Sequence, residues 1–177
     1  MNCKIVLIWF ACYICSVNLQ KPSESAFVSP ILQTNRRGPN WITHKGKTYY
    51  INNVFRTNFY RALQFCRQQG MHLLSLKNQE ESDLIKNHIE ANAGFKHRGY
   101  FTSGVNLVGD DQWIWLSTGL DVTYTNWYPG EPSGRSGSNV TENCMEIREW
   151  GGFTWNDLNC LLEAYFICES ARECQRV

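Results

Sequence analysis

The sequence lacks a strong charge of either sign, and it lacks a long apolar run. Its 177 residues carry a formal net charge of +1, which gives no electrostatic reason to expect a nucleic acid or an anionic membrane as the partner. The apolar run at residues 5–15 is about half of the roughly 20 residues that a membrane-spanning helix needs. We therefore expect no nucleic-acid partner and no membrane span.

Motifs of a zinc site and of a serine hydrolase are also missing. A single C-x-x-C pair, Cys12 and Cys15, lies inside the apolar run, and the four histidines show no metal-ligand spacing (His44, His72, His88 and His97). The segment 134–138, Gly-Arg-Ser-Gly-Ser, lacks the G-x-S-x-G spacing of a nucleophile elbow. No His–acid pair is placed to activate a serine, so we do not expect an enzyme.

The amino terminus has the features of a secretory signal peptide. Lys4 precedes the apolar run, Ser16 is a small residue suited to the cleavage position, and polar residues follow from Asn18. The short run favours a signal peptide over a type II membrane anchor. We predict a signal peptide at residues 1–16, a secreted, extracellular protein, and a linker or N-terminal arm at residues 17–40, where three prolines interrupt polar sequence.

Five cysteines follow the predicted cleavage site: Cys66, Cys144, Cys160, Cys168 and Cys174. In an oxidising compartment most cysteines are paired. Because five is an odd number, one thiol either stays free or bonds to another chain.

Hydrophobic periodicity predicts two helices in the first half of the chain. The segment from Arg56 to Gly70 places apolar residues on one face, and Asn78 with Glu81 forms a capping-box-like start for a second helix that ends at Gly94. Short apolar segments predict strands at residues 47–51, 73–76, 100–102, 113–115, 144–147, 153–155 and 165–168. The pattern indicates a mixed domain of helices and short strands.

A polar segment of more than twenty residues, 117–143, separates these strands. Loops of this length in compact domains are usually functional or disordered, and Trp127 together with the cysteine that follows the loop argues against disorder. Oxygen-bearing groups lie in and after this loop, at Glu131, Glu142 and the pair Asn156-Asp157. Calcium takes about 6–8 oxygen ligands of these types, although acidic loop residues are more often simply solvated.

Several motifs together resemble the C-type lectin domain family. Glu131-Pro132-Ser133 stands at the family's Glu-Pro-Asn position, Glu142 lies two residues before a cysteine, and Trp155-Asn156-Asp157 matches its Trp-Asn-Asp motif. The resemblance covers roughly residues 41–170 and includes the family's four cysteines. The segments 101–104 and 115–119 are similar to those of secreted single-domain insect lectins.

The resemblance implies an α+β fold, namely the C-type lectin fold with two helices, small antiparallel sheets and a long calcium-binding loop. It implies the disulfides Cys66–Cys168 and Cys144–Cys160, a domain at residues 41–170 and a tail at residues 171–177. Cys174 in this tail would then have no partner within the chain. We predict a disulfide-linked homodimer or heterodimer through Cys174, with a free thiol as the alternative.

The resemblance also implies a Ca²⁺ site whose ligands are Glu131, Ser133, Glu142, Asn156 and Asp157. In the family, sugar hydroxyls coordinate the ion and bond to the side chains that correspond here to Glu131, Ser133, Glu142 and Asn156. A Glu-Pro-X motif is typical of mannose, fucose and glucosamine-type sugars rather than galactose. We predict calcium-dependent binding of such glycans, in recognition of microbial or host surfaces.

Ser133 departs from the family pattern, because its hydroxyl is shorter than the amide of asparagine. The serine weakens the predicted ion site. It favours the alternative function, a calcium-independent, C-type-lectin-like protein-interaction domain. Asn106, Asp110 and Asn143 fall near an auxiliary calcium site of the family, with amides where carboxylates are usual. Asn139 begins the sequon Asn-Val-Thr, and we predict that it carries an N-linked glycan.

Overall fold

The computed structural model describes residues 38–93, 97–107, 112–137 and 139–170. The predicted signal peptide, most of the linker, Asp110 and the tail with Cys174 lie outside the described residues. Within these ranges no helix combines the length and the apolar composition that crossing a membrane would require.

Nine strands and two α-helices make up the described part of the domain. The strands are β1 (Trp41–His44), β2 (Lys47–Thr57), β3 (His72–Leu73), β4 (Gly99–Val105), β5 (Ile114–Trp115), β6 (Leu120–Asp121), β7 (Cys144–Arg148), β8 (Thr154–Leu158) and β9 (Ala164–Glu169). The helices are α1 (Phe59–Gln68) and α2 (Gln79–Ala93), and a 3₁₀ turn at Glu149–Gly151 joins β7 to β8.

The strands join into one sheet with the order β1-β2-β9-β4-β5-β6, and β7 pairs with both β4 and β8. Among the described strand pairs, β4 and β9 run parallel and the others run antiparallel. The β7–β8 hairpin places Glu146 opposite Asn156 and Met145 opposite Asp157. This register brings the Trp-Asn-Asp motif beside the strand that follows the long loop.

Both predicted helices are present, and their starts follow from local hydrogen bonds. The first helix begins at Phe59 rather than at Arg56, because β2 continues to Thr57 and Asn58 caps the helix by accepting the Arg61 N–H at 3.0 Å. The second helix has the predicted cap, since Asn78 Oδ1 accepts the N–H of Glu81 at 3.0 Å. Extended pairing with β9 therefore prevails over helical periodicity before residue 58.

Two apolar clusters and two disulfides hold the fold together. Cys66–Cys168 joins α1 to β9, and Cys144–Cys160 joins the start of β7 to the segment after β8, which confirms both pairings. Trp155 is fully buried, and its ring contacts the rings of Trp115, Tyr124 and Trp127 at centroid distances of 5.7, 5.4 and 5.6 Å. This tryptophan fastens the long loop to the sheet.

Candidate functional site

Strand β8 holds the long loop through backbone hydrogen bonds around Trp155. The Trp155 N–H donates to the Asn126 carbonyl at 2.7 Å, and the Tyr128 N–H donates to the Trp155 carbonyl at 2.9 Å. The chain then turns, because the Glu131 N–H donates to the Tyr128 carbonyl at 2.9 Å. The Glu131–Pro132 peptide bond is cis. These contacts place Glu131 next to the Trp-Asn-Asp motif.

The carboxylate of Asp157 anchors the next part of the loop. Its Oδ1 accepts the Ser133 N–H at 3.0 Å, and its Oδ2 accepts the Gly134 N–H at 2.6 Å. Asp157 is fully buried, and a hydrogen bond to a charged acceptor is stronger than one between neutral groups. The sequence predicts Asp157 as an ion ligand, and the structure shows that this carboxylate also organises the loop backbone.

Ser133 connects the two acidic segments. Its hydroxyl donates to Glu142 Oε2 at 3.3 Å and lies 3.4 Å from Asp157 Oδ1. The serine side chain is therefore in contact with two of the predicted ligands, one from the end of the loop and one from β8. The structure brings Ser133, Glu142 and Asp157 into a single cluster.

Asn156 is oriented by Glu146, a residue that the sequence-based ligand set does not include. The Asn156 amide nitrogen donates to Glu146 Oε1 at 3.1 Å and to the carbonyl of Asp157. Because both bonds use the amide nitrogen, a cation would be bound through Oδ1. Burial raises the pKa of Glu146 above its ordinary value. The antiparallel register of β7 and β8 is the signal that could have identified Glu146.

Arg148 lies between two carboxylates of this region. Its Nε donates to Glu146 Oε1 at 3.2 Å, and its Nη1 lies 3.8 Å from Glu131 Oε1. Arg148 thus contacts both Glu146, which orients Asn156, and Glu131. The sequence-based ligand set does not include Arg148, because an arginine is not an ion ligand and its position depends on the strand register.

The carboxylates at this site repel one another. The pKa of Glu142 is raised above its ordinary value, first by burial and then by the charges of Asp157 and Glu131. The Glu131 Oε2 atom is buried and has no hydrogen-bond partner in the described part of the chain. A buried acceptor without a partner is costly, and a cation would relieve both this cost and the mutual repulsion.

The ligand set fits a hard cation that prefers oxygen. It combines carboxylates with one amide, as calcium sites do, and adds the hydroxyl of Ser133. Across the described ranges, His, Cys, Asp and Glu side chains form no group of three or more that could hold a metal ion by themselves. The set therefore depends on Asn156 and Ser133, and on an Asp157 carboxylate that already holds the loop backbone.

Two further groups of predicted residues have defined positions. The Asn106 N–H donates to the Asn143 carbonyl at 3.0 Å, so two of the three auxiliary residues are neighbours, while Asp110 lies outside the described residues. Asn139 is exposed at a turn of the long loop and accepts a hydrogen bond from Arg135 Nη1 at 2.9 Å. The sequon is accordingly at the surface.

Fold and site together define a class of protein. Two helices, a sheet stapled by two disulfides and a long loop whose backbone is held by β8 are the features of a C-type lectin domain. The family model described as the lectin C-type domain matches residues 55–170. The chain belongs to the C-type lectin family.

Individual relatives extend over most of the chain. C-type lectin 37Db of Drosophila melanogaster is 29% identical over 174 residues, which are 96% of this chain and 99% of that protein. C-type lectin mosGCTL-7 of Aedes aegypti is 30% identical over 137 residues, 72% of this chain and 86% of that protein. The carbohydrate-recognition domain of the mouse scavenger receptor C-type lectin superposes with a TM-score of 0.65 at 30% identity, covering 77% of this chain and 98% of that domain.

Proposed function

We propose that this protein is a lectin that binds glycans in a calcium-dependent manner, with mannose or fucose-type sugars preferred over galactose. The proposed site is the cluster formed by Glu131, Ser133, Glu142, Asn156 and Asp157. The observation that carries the proposal is the contact of Ser133 with both Glu142 and Asp157, close to the Glu131 Oε2 atom, which is buried and unpaired within the described residues. The solved relative named as a carbohydrate-recognition domain supports the same function. Recognition of microbial or host glycans is the setting that we propose.

The residues of the site have distinct roles in this proposal. Glu131, Ser133, Glu142, Asn156 and Asp157 would hold the ion, which when bound supplies positive charge that attracts the oxygens of two neighbouring sugar hydroxyls. The carboxylates of Glu131 and Glu142 accept hydrogen bonds from those hydroxyls. The amide of Asn156 donates a hydrogen bond to Glu146, so that its orientation is set before a ligand arrives.

Calcium is expected to raise the thermal midpoint of unfolding, because a ligand that binds only the folded state stabilises that state. At a calcium concentration about 100 times the dissociation constant, the free energy of unfolding should increase by about 2.7 kcal/mol. Differential scanning calorimetry in millimolar calcium and in chelator measures this shift. Retention on immobilised mannose in calcium, followed by elution with chelator, tests the sugar in the same preparation.

The matched control for this experiment is a pair of Glu→Gln variants. Glu131→Gln should lose both the calcium-dependent shift and the retention, since it removes a charge from the proposed ligand set. Glu163→Gln, at an exposed position, should keep both. An identical midpoint with and without calcium in the unaltered protein would contradict the ion site.

Ser133→Asn is expected to tighten both calcium and mannose binding by about tenfold. Asparagine adds a carbonyl acceptor for the ion and an amide donor for a sugar hydroxyl, and a hydrogen bond to a charged group contributes about 1.5–3 kcal/mol. Titration calorimetry with methyl α-mannoside in saturating calcium measures the change. A folded Ser133→Asn variant that binds no simple sugar would show that the cluster is not a sugar site.

That last outcome would favour the second candidate, a calcium-independent protein-interaction domain. Ser133 is the residue that keeps this candidate open, because its hydroxyl bonds to Glu142 and lies close to Asp157 and is shorter than the asparagine amide of the family's motif. Binding to a glycoprotein that survives both chelator and enzymatic removal of its glycans would identify a protein-binding surface.

We also propose that the protein is secreted, glycosylated at Asn139 and linked through Cys174 to a second chain. Exposure of Asn139 on the long loop supports the glycosylation. Cys66 pairs with Cys168 and Cys144 with Cys160, so none of these four cysteines is available as a partner for Cys174. Secretion is consistent with these disulfides, since they persist in oxidising compartments.

A further inference from the structure

We propose that Tyr128 and Trp150 form a stacking subsite for a second sugar ring, next to the ion cluster. This subsite rests on the proposed function, because it serves a glycan whose first residue is held at the cluster. With this subsite, the protein would recognise oligosaccharides rather than single sugars.

Two aromatic side chains are exposed side by side at this position. Trp150, in the turn between β7 and β8, is 45% exposed, and Tyr128, in the long loop, is 39% exposed. Their ring centroids lie 6.2 Å apart with 58° between the planes. Gly151 permits this approach, because a Cβ atom at that position would lie 3.2 Å from Tyr128 Cδ2 and 2.4 Å from Thr154 Oγ1.

The aromatic pair is connected to the ion cluster by two contacts. The guanidinium carbon of Arg148 lies 4.2 Å from the centroid of the Trp150 ring, and Arg148 Nη1 lies 3.8 Å from Glu131 Oε1. From the other side, the Tyr128 carbonyl accepts the N–H of Glu131. The Arg148 side chain therefore bridges the Trp150 indole and Glu131, which is a proposed ligand of the ion and of the sugar. A glycan that continues beyond the residue held at Glu131 can reach the indole.

The chemistry of the surface fits a pyranose ring. The face of an aromatic ring carries partial negative charge and attracts polarised C–H groups and cations, and one face of a pyranose presents a row of C–H groups. The Arg148 guanidinium lies over one face of the Trp150 ring, so a sugar ring would stack on the remaining exposed aromatic surface, with the N–H groups of Arg148 as donors for its hydroxyls. Exposed aromatic surface next to a charged donor suits a ligand that is itself apolar on one face and polar at its rim.

Chain-length dependence of binding tests this subsite. Titration calorimetry in saturating calcium compares methyl α-mannoside with a mannotriose for the unaltered protein and for Trp150→Ala. We expect the trisaccharide to bind the unaltered protein about five to ten times more tightly, as one aromatic contact provides. Trp150→Ala should remove this gain and keep the affinity for methyl α-mannoside, while Trp150→Phe should restore part of the gain.

The matched control is Tyr60→Ala, which removes another exposed aromatic residue, 57% exposed on α1, and should keep the full gain. Equal affinities for the two sugars in the unaltered protein would overturn the subsite, and so would a gain that persists in Trp150→Ala. A parallel loss of methyl α-mannoside binding would overturn it as well, because Trp150 would then act by placing Arg148. If the unaltered protein binds neither sugar in calcium, the proposed function fails and the subsite falls with it.

Discussion

Asp157→Asn is expected to abolish calcium-dependent sugar binding, with a loss of affinity of at least about a hundredfold. The substitution removes a negative charge from the proposed ion site. It also disturbs the loop, because the carboxylate accepts the N–H groups of both Ser133 and Gly134. An amide has one acceptor and one donor group, so one of these two N–H groups would face another donor. Bonds to charged groups contribute about 1.5–3 kcal/mol each, and a hundredfold change corresponds to about 2.8 kcal/mol.

Calorimetric titration of calcium, followed by titration of methyl α-mannoside, measures this loss. Asp121→Asn is the matched control, since it makes the same change of charge at an exposed position of β6. This variant should bind calcium and sugar as the unaltered protein does. Circular dichroism of both variants establishes that the domain is folded. Retention of calcium affinity within a factor of three in Asp157→Asn would show that the ion, if bound, does not use this carboxylate.

Trp155→Ala is expected to lower the free energy of unfolding by about 3–5 kcal/mol, the usual cost of removing a large buried aromatic side chain. Trp155 has no exposed surface, and its ring contacts the rings of Trp115, Tyr124 and Trp127. Since two of these partners lie in the long loop, the cavity would open between the loop and the sheet. Urea unfolding, followed by far-UV circular dichroism, measures the loss.

Trp150→Ala is the matched control for this second variant, because it removes the same side chain from a half-exposed position. Its effect on the free energy of unfolding should stay below about 1 kcal/mol. A Trp155→Ala domain that unfolds at the same urea concentration as the Trp150→Ala domain would contradict the role that we give to Trp155.

The sequence predicts the fold well because its strongest signals are local or carried by motifs. The cap at Asn78 depends on residues only three positions apart, and the structure confirms it. The first helix starts later than its periodicity predicts, since the pairing of Thr57 with Ala164 joins residues far apart in the chain. No periodicity in a short window contains that information.

The candidate site likewise contains some residues that motifs identify and others that only the structure identifies. Glu131, Glu142 and Asp157 are all named by motif, and Ser133 connects two of them, Glu142 and Asp157, in the structure. The residues that orient them are not named by any motif. Glu146 and Arg148 owe their roles to the register of β7 against β8 and to the path of the loop, which only three-dimensional structure provides.

The two disulfides determine what a protease could do to this domain. Cys66 and Cys168 are 102 positions apart, and the second disulfide lies within that interval. A single cut between them, for example after the exposed Arg135 in the long loop, leaves both fragments covalently joined. Glu131 would then belong to one fragment and Glu142 to the other, yet neither could diffuse away. Nicked protein would migrate as one species until it is reduced, and it would lose ligand binding through local loosening rather than through loss of a fragment.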